Sequence, residues 1–252
     1  MNRLDPLTLE PTLSAAKKET YEVSASQLFI DQRDEPYSLF VPQHYEPNYK
    51  YPLVVWLHGP SDNELQLKRI MPLVSTRNYA AVGPRGTLAE DHDNGSGGYA
   101  WSQSEDHVYL AEQRVFAAIE SASRRLNVEP DRIFLAGFES GGTMAVRIAL
   151  SHPRRFAGAI TFGGEFPRGH APLRHLRDAR RLPLLLANGL ENPNYPESQV
   201  CNDLRLFYVA GLSVTLRQYP CANDLTTVML SDMDRWIMNI VCPEPVSDDQ
   251  GI

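Results

Sequence analysis

Residues 131–150, DRIFLAGFESGGTMAVRIAL, place a buried strand, a tight corner and a helix in one continuous stretch. The apolar run Ile133–Ala136 is typical of a strand buried in a sheet. Beyond the corner, apolar side chains between Met144 and Ala149 recur at helical spacing. The chain must therefore reverse direction sharply between the strand and the helix.

The corner determines which residue lies at its centre. A turn this tight needs small residues two positions before and two positions after the central one, which is itself held in a strained conformation. Gly137 and Gly141 satisfy this requirement when Glu139 is central. Ser140 in the central place would instead put Phe138 against the turn. We therefore predict that a glutamate occupies the centre of the corner.

Composition narrows the class of protein. The chain has 252 residues and a formal net charge of −7, which argues against a nucleic-acid groove or a polybasic membrane-binding surface. No apolar run reaches the length of a membrane-spanning helix, so no membrane insertion is expected. The first twenty residues lack the apolar core of a signal peptide. The three cysteines Cys201, Cys221 and Cys242 show no metal or disulfide spacing, so we predict reduced thiols in a cytoplasmic protein.

The chain divides into a polar N-terminal arm (1–20), one domain (21–242) and a polar C-terminal tail (243–252). Strands alternate with helices through the domain, which predicts a mostly parallel sheet covered on both faces and an α/β fold. Besides the elements of the corner, the predicted strands are Tyr21–Asp31, Tyr37–Val41, Pro52–His58, Tyr79–Gly83, Gly158–Phe162, Leu182–Ala187 and Val214–Tyr219. The predicted helices are Glu64–Thr76, Glu105–Leu126, Pro196–Ala210 and Thr226–Val241.

Two polar segments contain residues that could bind a metal ion or an anion, but both are better interpreted as solvated surface. The loop 90–104 contains Asp91, His92 and Asp93, but adjacent residues rarely converge on one metal ion, so we expect a solvated loop. Its glycines do not match a nucleotide-binding pattern. We predict neither a cofactor nor a metal. The arginine-rich segment 167–181 is interpreted as the solvated face of a helix rather than as an anion site.

Four motifs follow one another in a familiar order. They are His-Gly after the strand Pro52–His58, the corner around Glu139, Asn-Gly-Leu-Glu-Asn-Pro at 188–193, and Tyr-Pro at 219–220 before the last helix. Over roughly residues 35–241 the chain resembles the carboxylesterase, phospholipase and polyester-depolymerase-like branch of the α/β-hydrolases. The resemblance implies an α/β-hydrolase fold with the corner as the nucleophile elbow.

The resemblance also implies where the catalytic residues would lie. The nucleophile position of the family falls on Glu139, the acid position on Asn192 and the histidine position on Asn223. The two oxyanion-hole positions fall on Ser140 and on Pro60, which has no N–H to donate. All three positions of the catalytic triad are therefore substituted.

These substitutions point away from serine-esterase chemistry, because an acyl-serine needs a serine and a base that takes its proton. The resemblance suggests a hydrolase, but we predict a pseudo-hydrolase that binds a small molecule in the former active site, or a protein partner. Two alternatives remain open. Glu139 could act as the nucleophile, as the elbow aspartate does in epoxide hydrolases and haloalkane dehalogenases, or Ser140 could retain esterase activity with His92, His107 or His170.

The three substituted triad positions are also expected to satisfy one another. We predict a hydrogen-bond chain in which the Asn223 amide donates to the Glu139 carboxylate and the Asn192 amide donates to the Asn223 carbonyl. The sequence indicates no oligomeric state.

Overall fold

The computed structural model describes residues 28–30, 36–90 and 98–243. The ten strands of these residues are β1 (Leu28–Ile30), β2 (Pro36–Phe40), β3 (Tyr51–Leu57), β4 (Ala80–Pro84), β5 (Leu88–Glu90), β6 (Gly98–Ala100), β7 (Val128–Phe138), β8 (Gly158–Phe162), β9 (Leu184–Gly189) and β10 (Val214–Tyr219). The helices are α1 (Gln66–Val74), α2 (Glu105–Arg125), α3 (Ser140–Ser151), α4 (Leu176–Ala179), α5 (Glu197–Ala210) and α6 (Thr227–Val241).

Eight strands form one sheet in the order β1-β2-β4-β3-β7-β8-β9-β10. β1 pairs with β2, and β2 with β4, in antiparallel orientation. The five pairings β4–β3, β3–β7, β7–β8, β8–β9 and β9–β10 are parallel. The predicted α/β-hydrolase fold with a mostly parallel sheet is confirmed. Because parallel strands end at the same edge, the loops after β3, β7, β8, β9 and β10 meet there.

The sheet is buried on both faces, and β3 shows how. Its side chains alternate between two apolar clusters: Leu53, Val55 and Leu57 pack with α2 and α3, whereas Val54 and Trp56 pack with α1 and α6. A strand covered on both sides has to be apolar at every position, since successive side chains point to opposite faces. This requirement explains the uninterrupted apolar run of β3.

Most predicted elements are present, with differences of a few residues at their ends. The predicted solvated loop 90–104 is wrong in part, because β5 and β6 pair as an antiparallel hairpin at its edges. The arginine-rich segment forms only the four-residue α4. Its Arg168 is not simply solvated, because it donates to the buried carboxylate of Asp203 at 2.8 Å. A charged group that is buried needs such a partner.

Several predictions lie outside the described residues. These are the N-terminal arm 1–20, most of the strand Tyr21–Asp31, the residues Asp91, His92 and Asp93, and the tail from residue 244 onward. The division into arm, domain and tail stays a prediction. No helix within the described ranges is both long and apolar enough to cross a membrane.

Candidate functional site at the elbow

The corner between β7 and α3 is strained at Glu139. This residue has φ 47° and ψ −118°, a backbone conformation that residues other than glycine rarely adopt. The backbone of the corner is tied down on both sides: the Glu139 N–H donates to the Phe162 carbonyl at 2.8 Å, and the Glu139 carbonyl accepts from the Thr143 N–H at 2.9 Å. Strain of this kind costs about 1–3 kcal/mol and persists where the surroundings over-determine it.

The glycines around Glu139 are required by close backbone contacts. A Cβ atom on Gly141 would lie 2.3 Å from the carbonyl oxygens of Leu57 and His58, and one on Gly137 would lie 2.5 Å from the Gly141 carbonyl carbon. A Cβ on Gly164 would lie 2.3 Å from the Glu139 carbonyl oxygen. There is therefore no room to shift the corner by one residue so that Ser140 becomes central.

The Glu139 carboxyl group is half-buried, and two opposing effects act on its pKa. Burial raises its pKa above the usual range, and the neighbouring polar side chain of Asn223 lowers the pKa, with burial the larger of the two effects. Among the described residues, Glu139 forms no ion pair. The first link of the predicted hydrogen-bond chain stays a prediction: the Asn223 side chain lies near the Glu139 carboxyl group, but the described residues show no hydrogen bond between the two side chains.

The second predicted link is wrong. Asn223 lies in the loop between β10 and α6, and its Oδ1 is buried without a hydrogen-bond partner among the described residues. That oxygen lies against Gly163, where a Cβ would come within 2.6 Å of it. Gly163 itself has φ 65°, a value that glycine adopts readily. The Asn192 amide also approaches Gly163, but it donates to the Gly163 carbonyl and to Asn188 and not to Asn223.

Asn192 is buried and is held by its own loop. Its Nδ2 donates to the Asn188 Oδ1 at 2.9 Å and to the Gly163 carbonyl at 3.3 Å. Its Oδ1 accepts from the backbone N–H of Asn194 at 2.9 Å and of Tyr195 at 3.3 Å. These bonds close an Asx turn between β9 and α5. Asn192 is thus fully used in positioning the loop, which is why it does not reach Asn223.

Asn188 is a residue of this site that the sequence prediction missed. It ends up beside Asn192 because the two belong to one turn at the end of β9, and its Nδ2 donates to the Tyr195 carbonyl at 2.9 Å. The spacing of the two asparagines in Asn-Gly-Leu-Glu-Asn was the available signal, since side chains four apart across a turn can face each other. The contact gives the buried Asn188 Oδ1 a donor and completes the hydrogen bonding of both amides.

Pro60 lies two residues after the buried His58, on the loop that covers the elbow. The His58 ring fixes this loop: its Nε2 accepts from the Gly86 N–H at 2.8 Å, so Nδ1 carries the proton and donates to the Gly59 carbonyl at 2.7 Å. Burial lowers the pKa of His58, which keeps the ring neutral. His58 therefore has a positioning role and has no free nitrogen for catalysis.

No described histidine serves Ser140 as a base. The Ser140 Oγ is buried and has no hydrogen-bond partner within the described ranges. His107 instead lies 3.0 Å from the Thr87 Oγ1 through its Nδ1, and His170 lines a separate cavity with Arg147 and Glu105. His92 lies outside the described residues. The arrangement gives no support to an esterase built on Ser140 with His107 or His170.

The chemistry open to this site follows from its groups. Glu139 is an acceptor and a potential carboxylate nucleophile, Asn223 is a neutral amide, and Pro60 has no N–H. No group of three or more histidine, cysteine, aspartate or glutamate side chains in the described part of the chain could hold a metal ion.

Comparison with known proteins places this arrangement in a family. The sequence profile of the phospholipase/carboxylesterase family matches residues 46–240. A probable carboxylesterase of rice (Oryza sativa subsp. japonica) is 26% identical over 54% of this chain and 52% of its own length. A probable inactive carboxylesterase of rice is 23% identical over 55% of this chain and 57% of its own length.

The solved structures agree on the fold. A carboxylesterase from Mesorhizobium loti superposes with a TM-score of 0.66 at 20% identity, covering 84% of this chain and 98% of that one. The chain spans about half the length of the curated rice relatives, whereas it spans nearly all of the bacterial structure. With the matched profile covering most of the described residues, the chain belongs to the phospholipase/carboxylesterase family of α/β-hydrolases.

Proposed function

We propose that this chain is a pseudo-hydrolase: a family member that does not hydrolyse esters through a serine and that uses the former active site to bind a small molecule. One observation carries the proposal. The strained centre of the elbow, the position that the resemblance assigns to the nucleophile, is Glu139, and Asn223 lies beside its carboxyl group at the position that the resemblance assigns to the catalytic base.

Each substitution removes a step of the serine reaction. Glu139 cannot form an acyl-serine, and the Asn223 amide cannot accept a proton near neutral pH. Pro60 leaves the proposed oxyanion hole one N–H short, a loss of about 2.7–4 kcal/mol of transition-state stabilisation. The relative that is named a probable inactive carboxylesterase supports the idea that members of this family can lack activity.

A second candidate is hydrolysis with Glu139 as the nucleophile. The partly exposed carboxyl group at the elbow favours it, because this is where the reacting atom of the substrate would arrive. The ester intermediate would then need a water activated by a base, and Asn223 does not supply one. This candidate is therefore the less favoured of the two, and the experiment described next tests both.

The experiment uses the purified full-length chain and an active bacterial carboxylesterase as the positive control. Short-chain nitrophenyl esters should be hydrolysed at the background rate, and a fluorophosphonate probe should leave the protein unlabelled. Stoichiometric labelling at Ser140 would overturn the proposal. Incorporation of ¹⁸O from labelled water into Glu139, during turnover of an epoxide or an alkyl halide, would instead favour the carboxylate nucleophile.

The cytoplasmic location is proposed on a separate ground. Cys201, Cys221 and Cys242 are free thiols, and Cys201 and Cys242 are exposed. Exposed free thiols suit a reducing compartment, where they are not oxidised to disulfides.

A further inference from the structure

A cavity of about 330 Å³ lies between α2 and the end of α3, and no described residue of the elbow lines it. Its volume falls within the range of small-molecule sites, about 300–1,000 Å³. We call it the α2–α3 cavity. One wall is a face of α2, and the other is formed by α3 and the segment after β8; the charged and aromatic residues of these walls are Glu105, Tyr109 and Glu112, and Arg147, His170 and Arg174.

The two walls of this cavity carry opposite charges. Glu105 and Glu112 lie seven residues apart and share one face of α2, whereas the other wall carries Arg147 and Arg174. Among the described residues, no ion pair joins either glutamate to either arginine, and Glu112 lies 3.3 Å from the His152 Nε2 instead. The cavity therefore keeps the two signs apart. A ligand that carries both signs can pair with both walls.

Arg147 is the buried charge of the cavity, with only 1% of its surface exposed. Its Nε donates to the Gln103 Oε1 at 2.7 Å, its Nη1 to the Gly169 carbonyl at 3.1 Å and its Nη2 to the Arg168 carbonyl at 2.6 Å. All three acceptors are neutral, so this charge has no counter-ion in the described part of the chain. A fully buried arginine without a carboxylate is rare, because the charge has lost its water.

The Arg147 guanidinium also has donors to spare. It carries five N–H groups, and the three hydrogen bonds use three of them, which leaves two for a further acceptor. Burial lowers the pKa of Arg147, and no described carboxylate offsets this effect. A carboxylate matches the guanidinium in charge and geometry. The ligand group that best suits this wall is therefore a carboxylate.

The basic wall is held in a fixed shape. Gly169, His170 and Ala171 have φ values of 70°, 51° and 46°, a region that residues other than glycine adopt infrequently. Such a conformation persists where the surroundings enforce it. The two hydrogen bonds from Arg147 to the carbonyls of residues 168 and 169 supply part of this constraint. A wall that is already ordered loses less freedom when a ligand binds.

We propose that the α2–α3 cavity binds a small zwitterion that carries a carboxylate and an ammonium group, as a free amino acid does. Arg147 and Arg174 hold the carboxylate, and Glu105 and Glu112 hold the ammonium group. The ring of Tyr109, which is 62% exposed, offers an apolar surface to the rest of the ligand. An anion without an ammonium group is disfavoured by the two glutamates, and a cation without a carboxylate by the two arginines.

The test removes one ligand charge at a time. 6-Aminohexanoate is compared with hexylammonium and hexanoate, and leucine is compared with leucinamide and N-acetylleucine. Affinities for the full-length chain are measured by ligand-observed NMR titration. At least one zwitterion should bind about tenfold or more tightly than both of its singly charged counterparts, since each removed charge removes a charge-assisted hydrogen bond. If neither zwitterion shows this preference, the proposal is overturned.

Two pairs of substitutions locate the binding site. Glu105→Lys and Asp106→Lys change the net charge equally in the first turn of α2, but only Glu105 lines the cavity. Arg174→Glu and Arg177→Glu form the matching pair for the basic wall. Each cavity substitution should weaken binding of the preferred zwitterion about fivefold or more, and each control should change it less than about twofold. Equal effects within both pairs would place the ligand elsewhere and overturn the proposal.

The buried arginine is tested separately. Arg147→Gln removes the charge, so the zwitterion should lose its advantage over the counterpart that lacks a carboxylate. Circular dichroism shows whether this variant is folded. A folded variant that keeps the full advantage would contradict the role of Arg147, and the two surface pairs decide the case if it does not fold. The nitrophenyl ester assay is independent of all these outcomes, because it tests the elbow and not this cavity.

Discussion

The side chain of Asn223 lies beside the carboxyl group of Glu139, while the Oδ1 of the same amide is buried against Gly163 without a described partner. In a serine hydrolase the corresponding contact would move a proton from the nucleophile to a base. An amide holds its protons near neutral pH, so the contact here can orient Glu139 but cannot activate it. At the two positions that the resemblance assigns to the nucleophile and the base, a carboxyl group and an amide therefore cannot form a proton relay.

Restoring the catalytic triad alone should give a poor enzyme. The change Glu139→Ser, Asn192→Asp, Asn223→His supplies a nucleophile, an acid and a base, but Pro60 still leaves the oxyanion hole one donor short. Adding Pro60→Leu should raise kcat of any recovered activity by up to about 10²–10³-fold. Hydrolysis of nitrophenyl acetate by the triple and quadruple variants measures the difference. Equal rates would show that Pro60 does not lie at an oxyanion-hole position.

The substitution Asn192→Asp alone should destabilise the protein. The Nδ2 of Asn192 faces two acceptors, the Asn188 Oδ1 and the Gly163 carbonyl, and a carboxylate oxygen would repel both. Loss of these buried bonds should lower the free energy of unfolding by about 1–3 kcal/mol in urea denaturation. Adding Asn188→His, which can donate to a carboxylate, should recover part of the loss. Unchanged stability of Asn192→Asp would contradict the hydrogen bonds assigned here.

The strain at the elbow predicts an unusual order of stability for two small substitutions. Glycine normally lowers stability relative to alanine by about 0.5–1 kcal/mol because it gains more freedom in the unfolded chain. At φ 47° the alanine Cβ meets the same conformational strain as glutamate, whereas glycine relieves it. Glu139→Gly should therefore be at least as stable as Glu139→Ala in thermal and urea unfolding. A control pair at an exposed helical position, Arg205→Gly and Arg205→Ala, should show the normal order.

Ionisation of Glu139 should lower the free energy of unfolding as the pH rises. Its pKa in the folded protein is raised above the ordinary value of 4.5, chiefly by burial, so the folded state holds this proton more tightly than the unfolded state does. The stabilising contribution is complete below 4.5 and is lost as pH rises through the raised pKa. The free energy of unfolding of the unmodified chain, relative to Glu139→Gln, should decrease as the pH rises above 4.5. A difference that is constant or increases over this range would show that the pKa is not raised.

The sequence by itself determined most of the helices and strands and the residue at the centre of the corner. β8 and β10 have the predicted ends, and the main helices lie where the apolar periodicity put them. These features could be predicted because they depend on local patterns: the alternation of buried side chains, helical spacing, and glycines at the positions where a Cβ would strike the neighbouring backbone. The β5–β6 hairpin was missed because its three-residue strands contain too few side chains to show a period.

Only the tertiary structure decided how the three substituted positions interact. Glu139, Asn192 and Asn223 come from loops after three different strands, and the resemblance could place them at one edge but could not assign their partners. An amide can donate and accept in several directions, so its hydrogen bonds depend on ångström-scale placement. The turn after β9 gave Asn192 nearer partners in Asn188 and in the backbone of Asn194 and Tyr195. The Oδ1 of Asn223 was enclosed against Gly163, and its side chain came to lie beside Glu139 without reaching Asn192.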